Sequence, residues 1–287
     1  MEALVKIKRA ILIAFFVICV IPVFGQEQPF YFVMFTDTQM GMYAANRDFV
    51  RETANYEFVV ATINRLKPGF AIVLGDLVNK TGDDTQIREF QRISQKIDPA
   101  IPVYYVAGNH DVGHEPTPDS VAAYRKIFGR DYYSFRAGPV YGIVLDSTLI
   151  QAPTHDETDY QEQLAWFKTE LEKAKSSGAP QIIVFQHHPF FIVNAQEPEL
   201  SGRNIPLERR QIFLSLLHQY NVHYVFAGHI HANSVGKDGD LEMTVSGPVS
   251  MFFDEEGSGI RLAEVTASGV RHRYYPFGKM PDGLSVK

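Results

Sequence analysis

The sequence predicts an α/β fold, and two observations carry that prediction. Six apolar segments of strand length recur along the 287-residue chain, and most of them are too uniformly apolar for strands with one face in water. Segments with the apolar spacing of helices lie between several of these strands. Strands that alternate with helices are typical of an α/β sheet that is covered on both faces.

The predicted strands are rich in β-branched and aromatic residues. They span residues 30–35, 70–74, 103–106, 141–145, 181–185 and 222–226. The predicted helices span residues 49–66, 160–175 and 205–220, and the first of them stops before a proline. Three shorter segments punctuated by glycine follow, and they predict antiparallel strands that close a second sheet, at residues 241–249, 259–266 and 270–275.

The composition excludes some functions and sets the domain organisation. Hydrophobic residues make up 45% of the chain and charged residues 21%, as in ordinary globular proteins. The formal net charge is -6, so we expect no general nucleic-acid binding, which needs a basic face. Because no linker, repeat or charge run interrupts residues 26–287, they are predicted to form one domain.

The first 25 residues have the pattern of a signal peptide. Three basic residues precede an apolar run at 10–24, which is short for a membrane span. Cleavage would leave Gln26 as the first residue of an exported protein, periplasmic or secreted, with no membrane partner; an uncleaved anchor is the alternative. The only cysteine, Cys19, lies in this segment, so thiolate ligands and disulfides are excluded from the mature chain.

Polar side chains follow five of the six predicted strands at the point where each strand ends. They are Asp37 and Gln39, Asp76, Asn109 with His110 and Asp111, His187 with His188, and His229 with His231. Because ligands of open α/β sheets gather at the carboxyl ends of strands, we expect these side chains to converge. Oxygen and nitrogen donors without sulfur suit two cations such as manganese, iron or zinc.

Individual positions indicate how two ions could be held together. In an extended segment His229 and His231 would point to opposite sides, so each could serve a different ion. The carboxylate of Asp76 could bridge both ions, and the glycines before Asp76, Asn109 and His229 would allow sharp turns and close approach. Any one of these residues alone is more often a turn or cap residue, so the prediction depends on the five strand ends together.

The order of motifs resembles that of the calcineurin-like metallophosphoesterase superfamily over nearly the whole mature chain. The motifs are D-x-Q, G-D, G-N-H-D, H-x-P and G-H-x-H. The glutamine of the first motif and the stretch G-N-H-D-V-G are most similar to the calcineurin-like phosphoesterase domain-containing branch, which is associated with serine/threonine phosphoprotein phosphatase activity. The resemblance implies an αββα sandwich, in which two stacked mixed β-sheets are flanked by helices.

The resemblance also implies roles for individual residues. His110 would be the acid or the phosphate-binding residue, with Asp111 as its orienting partner. Gln39 stands where most of the superfamily has histidine; its amide oxygen favours a harder ion such as manganese, or it could leave the position to water. Asn79 replaces the tyrosine of purple acid phosphatases. The ligands would be Asp37, Gln39, Asp76 and His231 for the first ion, and Asp76, Asn109, His187 and His229 for the second.

The expected reaction is in-line attack on phosphorus by a hydroxide that bridges the two metal ions. We expect a phosphomonoesterase that acts on phosphoproteins or small phosphorylated molecules. A phosphodiesterase for cyclic nucleotides or other diesters is the main alternative, and a non-catalytic metal-binding module is a third, which the presence of His110 argues against. Lesser candidates for binding substrate phosphate are His114, His188, Arg47 and Arg203.

Overall fold

The computed structural model describes residues 29–253 and 255–286, and within them the chain forms eleven strands and seven α-helices. The strands are β1 Phe30–Phe35, β2 Phe70–Val73, β3 Val103–Tyr105, β4 Tyr133–Ala137, β5 Val140–Val144, β6 Gln181–Phe185, β7 Tyr224–Ala227, β8 Ser234–Asp238, β9 Leu241–Val245, β10 Gly259–Thr266 and β11 Gly269–Pro276. The helices are α1 Val50–Leu66, α2 Asp84–Ser94, α3 Asn109–Val112, α4 Pro118–Phe128, α5 Ser147–Gln151, α6 Glu157–Ser176 and α7 Leu207–Gln219.

The strands form two mixed sheets. The first has the order β11-β10-β1-β2-β3, in which β1, β2 and β3 run parallel and β10 and β11 are antiparallel additions. The second has the order β4-β5-β6-β7-β9-β8, with a parallel centre from β5 to β9 and antiparallel strands at both edges. Each sheet therefore presents the carboxyl ends of three or more parallel strands at one edge.

A layer of apolar side chains joins the two sheets face to face. Phe32 stacks on Phe70 at 4.6 Å and meets Phe185 and Phe226 of the other sheet edge-on. All four rings are almost completely buried. Aromatic pairs in these geometries add to the stabilisation from burial, so this layer fixes the two sheets against each other.

Two further cores cover the outer faces of the sheets. Helices α1 and α2 pack on the first sheet through residues such as Tyr56, Ile63 and Phe90, while α6 and α7 pack on the second through Phe167 and Phe213. The layer order is thus helix, sheet, sheet, helix. The prediction of two stacked mixed sheets flanked by helices is confirmed by this arrangement.

Local sequence sets where the helices begin. The side chain of Asp83 accepts hydrogen bonds from two backbone amides of the first turn of α2. Thr117 caps α4 in the same way, with Pro118 at the first helical position, and Asp156 caps α6. These residue types are favoured at such positions because they satisfy amides that have no partner inside the helix.

Several sequence expectations differ from the structure. The three tail strands do not close one sheet: β9 joins the second sheet beside β7, whereas β10 and β11 extend the first. The segment at 103–106 was expected to be buried on both faces, but β3 is half-buried because it lies at a sheet edge. Helices α2 and α4 and edge strands β4 and β8 were not predicted.

The predicted signal peptide and Cys19 lie outside the described residues. Within the described part of the chain, no helix is long and apolar enough to cross a membrane.

Candidate metal centre

Five loops at the carboxyl ends of parallel strands carry the predicted site residues. Asp37 and Gln39 follow β1, and Asp76 follows β2. Asn109 and His110 open the short helix α3 after β3. His187 follows β6, and both His229 and His231 follow β7. The structure brings these residues together, and the nearest ligand atoms of Asp76, His187 and His229 all lie within 4.8 Å of one another.

The backbone of these loops is held in a conformation that non-glycine residues rarely adopt. Ten described non-glycine residues have positive φ, and five of them are predicted ligands: Asp37 (52°), Gln39 (35°), Asp76 (53°), His229 (73°) and His231 (56°). Such conformations cost energy and concentrate at functional sites. Both histidines are in the left-handed region, so the segment from His229 to His231 does not have the extended conformation in which their side chains would point to opposite sides.

Three glycines let the loops approach each other closely. A Cβ at Gly75, whose φ is +89°, would lie 2.5 Å from the His187 ring nitrogen Nδ1. A Cβ at Gly108 would lie 2.2 Å from the backbone nitrogen of Asp76, and one at Gly228 only 1.9 Å from a side-chain oxygen of the β1 end. The predicted role of these glycines in close approach agrees with this packing, and only Gly75 also provides a positive φ.

One group of ligand atoms surrounds the ring nitrogen Nε2 of His187. The other nitrogen of this ring, Nδ1, donates a hydrogen bond to the carbonyl of Leu74 at 2.7 Å, so Nε2 is free to bind a cation. Three acceptor atoms face Nε2, namely Asp76 Oδ2 at 3.3 Å, Asn109 Oδ1 at 3.2 Å and His229 Nδ1 at 3.2 Å. A proton on Nε2 could bond only one of them well, whereas a cation can bind all four atoms.

The ring of His229 is also oriented so that one nitrogen can bind a cation. Its Nε2 donates a hydrogen bond to the carbonyl of Gly202 at 3.1 Å, which leaves the lone pair on Nδ1 facing the cluster. Burial, together with positive charge on His187, lowers the pKa of His229 to about 4, so its ring is neutral at physiological pH. A neutral imidazole is the form that binds a metal ion.

A second group of ligand atoms lies around Asp37 and His231. His231 Nδ1 donates to the carbonyl of Met251 at 2.5 Å, so Nε2 faces Asp37 Oδ1 at 3.3 Å. This carboxylate oxygen is buried, and its contact with His231 does not have the geometry of a good hydrogen bond. A buried carboxylate oxygen without a well-formed hydrogen bond is costly, and a cation would satisfy it.

Asp76 contacts both His187 of the first group and Gln39, a predicted ligand that follows β1 as Asp37 does. Its Oδ2 faces both His187 and the amide nitrogen of Gln39, each at 3.3 Å, while its Oδ1 accepts a hydrogen bond from the backbone of His110 at 2.8 Å. The Gln39 amide oxygen accepts a weak hydrogen bond from Ser250 at 3.4 Å. The sharing of Asp76 by two ions stays a prediction, and Gln39 would need to turn its amide over to present oxygen to a metal.

The charges of the site are strongly coupled. Burial alone would raise the pKa of Asp76 and lower that of His187. Their mutual attraction reverses both effects: it holds the pKa of Asp76 well below its usual range and raises the pKa of His187 to about 9. Without metal the site thus retains a proton on His187, and binding of a cation must displace it.

His110 lies beside the metal ligands and is partly exposed. Its Nδ1 bonds the carbonyl of Asn79 at 2.6 Å, which assigns the proton to Nδ1 and leaves Nε2 available to a substrate. Its ring also meets that of His114 edge-on, at 5.3 Å between ring centres. The carbonyl of Asn79 is therefore the group that orients His110.

Asp111 has a different role from the one expected. Its Oδ1 accepts hydrogen bonds from the backbone amides of Leu77 and Val78, and its Oδ2 accepts one from Gly108. The carboxylate thereby ties the loop after β2 to the loop after β3. The expectation that Asp111 orients the His110 ring is corrected, because both of its oxygens are engaged by these amides.

The four lesser candidates for binding substrate phosphate form two pairs that differ in their contacts with the metal centre. His114 contacts Asn109 at 3.4 Å, and the buried ring of His188 lies 4.2 Å from that of His229. Arg47 is exposed, and its side chain donates to the nearby carbonyl of Ala44 at 3.0 Å; Arg203 is also exposed. The two histidines thus border the centre, whereas no contact links the two arginines to its ligands in the described chain.

Ser147 was not predicted from the sequence, and it binds the backbone of two histidines at the metal centre. Its hydroxyl oxygen accepts hydrogen bonds from the backbone amides of His187 at 3.1 Å and of His188 at 2.7 Å. Ser147 follows the carboxyl end of β5, a sixth strand end beside the five that carry the predicted ligands. The rule that identified the other five loops would have identified this one.

The fold and this site define a metallophosphoesterase, and the chain belongs to the calcineurin-like phosphoesterase family. The family model matches residues 30–233. This match confirms the resemblance seen in the motifs and the prediction of a phosphoric ester hydrolase.

Individual relatives agree with the family assignment. The human protein named serine/threonine-protein phosphatase CPPED1 is 31% identical over 269 residues, which cover 88% of this chain and 86% of the relative. Among solved structures, a dimetal phosphatase from Danio rerio has a TM-score of 0.59 at 13% identity, covering 85% of this chain and 99% of that one. A purple acid phosphatase from yellow lupin has a TM-score of 0.66 at 14% identity, covering 90% and 53%. These two structures share the fold.

Proposed function

We propose that the protein is a phosphomonoesterase that uses two metal ions and acts on phosphoproteins or small phosphorylated molecules. The observation that carries the proposal is the arrangement of acceptor atoms around Asp76. His187 Nε2, His229 Nδ1 and two oxygens form one cluster, and His231 Nε2 and Asp37 Oδ1 form a second pair of possible ligand atoms. The names of the curated relatives support a phosphatase.

The residues fit the metal ions that the family uses. The unsatisfied Asp37 oxygen and the converging lone pairs supply oxygen and nitrogen donors for two cations, with Asp76 between them. When bound, such ions acidify a water molecule and neutralise phosphoryl oxygens. Manganese is our first choice because Gln39 offers an amide where imidazole would favour zinc or iron.

The protein's own groups supply the remaining chemistry. The Asn79 carbonyl holds the Nδ1 proton of His110 and directs Nε2 away from it; with a second proton on Nε2, the ring could protonate the leaving oxygen or stabilise charge on the phosphoryl group. The backbone amide of His110 also holds Asp76 in place, so the acid and the shared ligand move together. A metal-binding module without catalysis would have no use for a histidine in this position.

The substrate class is tested by comparing an aryl phosphomonoester with the matching bis-aryl diester, using protein reconstituted with Mn²⁺. A monoester dianion places more charge between two cations than a diester monoanion does. We expect the monoester to be hydrolysed at least ~10-fold faster, which corresponds to about 1.4 kcal/mol in the transition state. The reverse preference would indicate a phosphodiesterase. No turnover of either ester by metal-loaded protein would contradict both the phosphomonoesterase and the phosphodiesterase function.

We also propose that the protein is exported, on the basis of the basic and apolar pattern of residues 1–25. The N-terminal residue of protein purified from its native host tests this. A mature chain that begins at or near Gln26 supports export, and an intact Met1 in a soluble cytosolic fraction contradicts it.

A further inference from the structure

One phenylalanine beside the metal centre has most of its surface in water. Phe253 is 64% exposed, although most large aromatic side chains of the described chain are at least half-buried. One face of its ring stacks on the imidazole of His231, with ring centres 4.6 Å apart and planes inclined by 15°. The ring therefore covers a predicted metal ligand with one face, and within the described residues most of its remaining surface, including its other face, is exposed.

The position of this ring is fixed by the backbone on both sides of it. The Phe253 amide donates to the carbonyl of His231 at 3.0 Å, and the carbonyl of Met251 accepts the hydrogen bond from His231 Nδ1. Further back, the amide of Ser250 donates to the carbonyl of Asp37 at 3.0 Å. The segment 250–253 is thus tied to two metal ligands, so the ring keeps a constant place relative to the centre.

The neighbouring residue, Phe252, is packed against the protein, which makes the exposure of Phe253 a feature of that position. Phe252 is half-buried, pairs with Tyr274 at 6.1 Å, and lies where a Cβ at Gly247 would meet it at 2.3 Å. Phe253, by contrast, stacks only on the His231 ring among the rings of residues 29–253 and 255–286. Its open face is an apolar surface at the mouth of a polar site, which is suited to a planar group of a ligand.

We propose that the open face of Phe253 binds the leaving group of the substrate and selects phosphomonoesters with an aromatic ring next to the ester oxygen. The proposal rests on the proposed function, because it places the phosphoryl group between the ligands of the metal centre. In the proposed complex the group that follows the ester oxygen extends from the cluster toward His231, where the ring of Phe253 lies. An aromatic ring at that point can stack on Phe253, whereas a short alkyl group cannot.

The test measures binding separately from catalysis. Phenylphosphonate and methylphosphonate carry the same phosphoryl group without a hydrolysable ester bond, and their affinities for the Mn²⁺-loaded full chain are measured by calorimetry. Because an aromatic pair contributes a modest increment beyond area burial, we expect the phenyl compound to bind about 3- to 10-fold more tightly to the unmodified protein. In Phe253→Ala this preference is expected to fall to near one, with the affinity for methylphosphonate unchanged.

Two controls separate stacking from a role in holding His231. Phe58→Ala removes another exposed phenylalanine, 44% exposed on α1 and edge-on to Phe277, and should leave the phenyl preference intact. Phe253→Trp keeps a flat ring and should retain or increase the preference. Metal content is measured in each variant.

Three outcomes would overturn the proposal. Equal binding of the two phosphonates by the unmodified protein would do so, as would an unchanged phenyl preference in Phe253→Ala. Loss of metal from Phe253→Ala, with both affinities falling equally, would instead assign the ring to holding His231. Failure of the proposed function would show separately, as absence of monoester turnover by protein that still binds both phosphonates.

Discussion

Gly108 offers a direct way to disturb the metal centre through sterics alone. Its φ of −114° is accessible to any residue, so alanine introduces no backbone strain at this position. The added Cβ, however, would lie 2.2 Å from both the backbone nitrogen and Oδ1 of Asp76. Ordinary contacts of a Cβ are 3.4–4 Å, so Asp76 or its loop must move by about 1 Å.

This displacement has two expected consequences for Gly108→Ala. Overpacking of this kind costs about 1–3 kcal/mol, which for a chain of this size lowers Tm by roughly 2–12 °C. Metal coordination tolerates errors of only about 0.2 Å, so moving the shared Asp76 should also abolish the rise in Tm that Mn²⁺ gives the unmodified protein. Thermal unfolding with Mn²⁺ and with chelator measures both effects.

Gly278→Ala is the matched control, since nothing lies within 4 Å of a Cβ there and no positive φ is required. We expect its Tm and its Mn²⁺ response to equal those of the unmodified protein. A Gly108→Ala variant that unfolds at the normal temperature and keeps its full response to Mn²⁺ would refute the reasoning, because Asp76 would then not be shared at this position.

Three other predictions follow from individual side chains. His110→Ala should lower kcat ~10²-fold or more while metal content stays constant, and loss of metal would make His110 a ligand instead. Gln39→His should increase the retention of zinc during dialysis, since imidazole is the better donor for this ion; equal retention would mean that residue 39 does not reach the metal. Burial raises the pKa of Asp146 to about 7, so the folded protein binds a proton that the unfolded chain has released between about pH 4 and 7, and stability should fall as pH rises through that window. Asp146→Asn should reduce this fall in denaturant titrations, and an unchanged pH dependence would contradict the shift.

The positions of the metal ligands could be predicted because they depend on a simple rule. Buried parallel strands are recognisable as apolar runs, and the loops at their carboxyl ends meet at one edge. The structure brings Asp37, Asp76, Asn109, His187 and both histidines after β7 together there. Their convergence could be predicted without any interatomic distance, because the topology of the sheets brings these loops to the same place.

Contacts between loops could not be read from the sequence in the same way. The role of Asp111 depends on the amides of Leu77 and Val78, which lie more than thirty residues away. The carbonyls that orient His110 and His231 come from Asn79 and Met251. Because every residue has a backbone carbonyl, the residue types in the sequence do not reveal these partners. Such partners depend on the three-dimensional path of the loops.

The missed elements have different physical reasons. The edge strand β8 has the sequence SVGKD, which offers neither an apolar run nor a regular alternation. Helix α2 did carry a signal, because Ile87, Phe90 and Ile93 recur every three residues and are buried on one face, and Asp83 provides its cap. The sequence of α2 is therefore sufficient to predict this helix.

The central claim is that Asp76 and the ligands on either side of it hold two metal ions. It is tested most directly by the number of Mn²⁺ ions retained per chain after reconstitution and dialysis, measured by mass spectrometry on the unmodified protein and on Asp76→Asn. We expect two ions per chain in the unmodified protein and loss of both in the variant, because the carboxylate is shared. Full phosphoester hydrolysis by metal-free protein, or retention of both ions by Asp76→Asn, would contradict the claim.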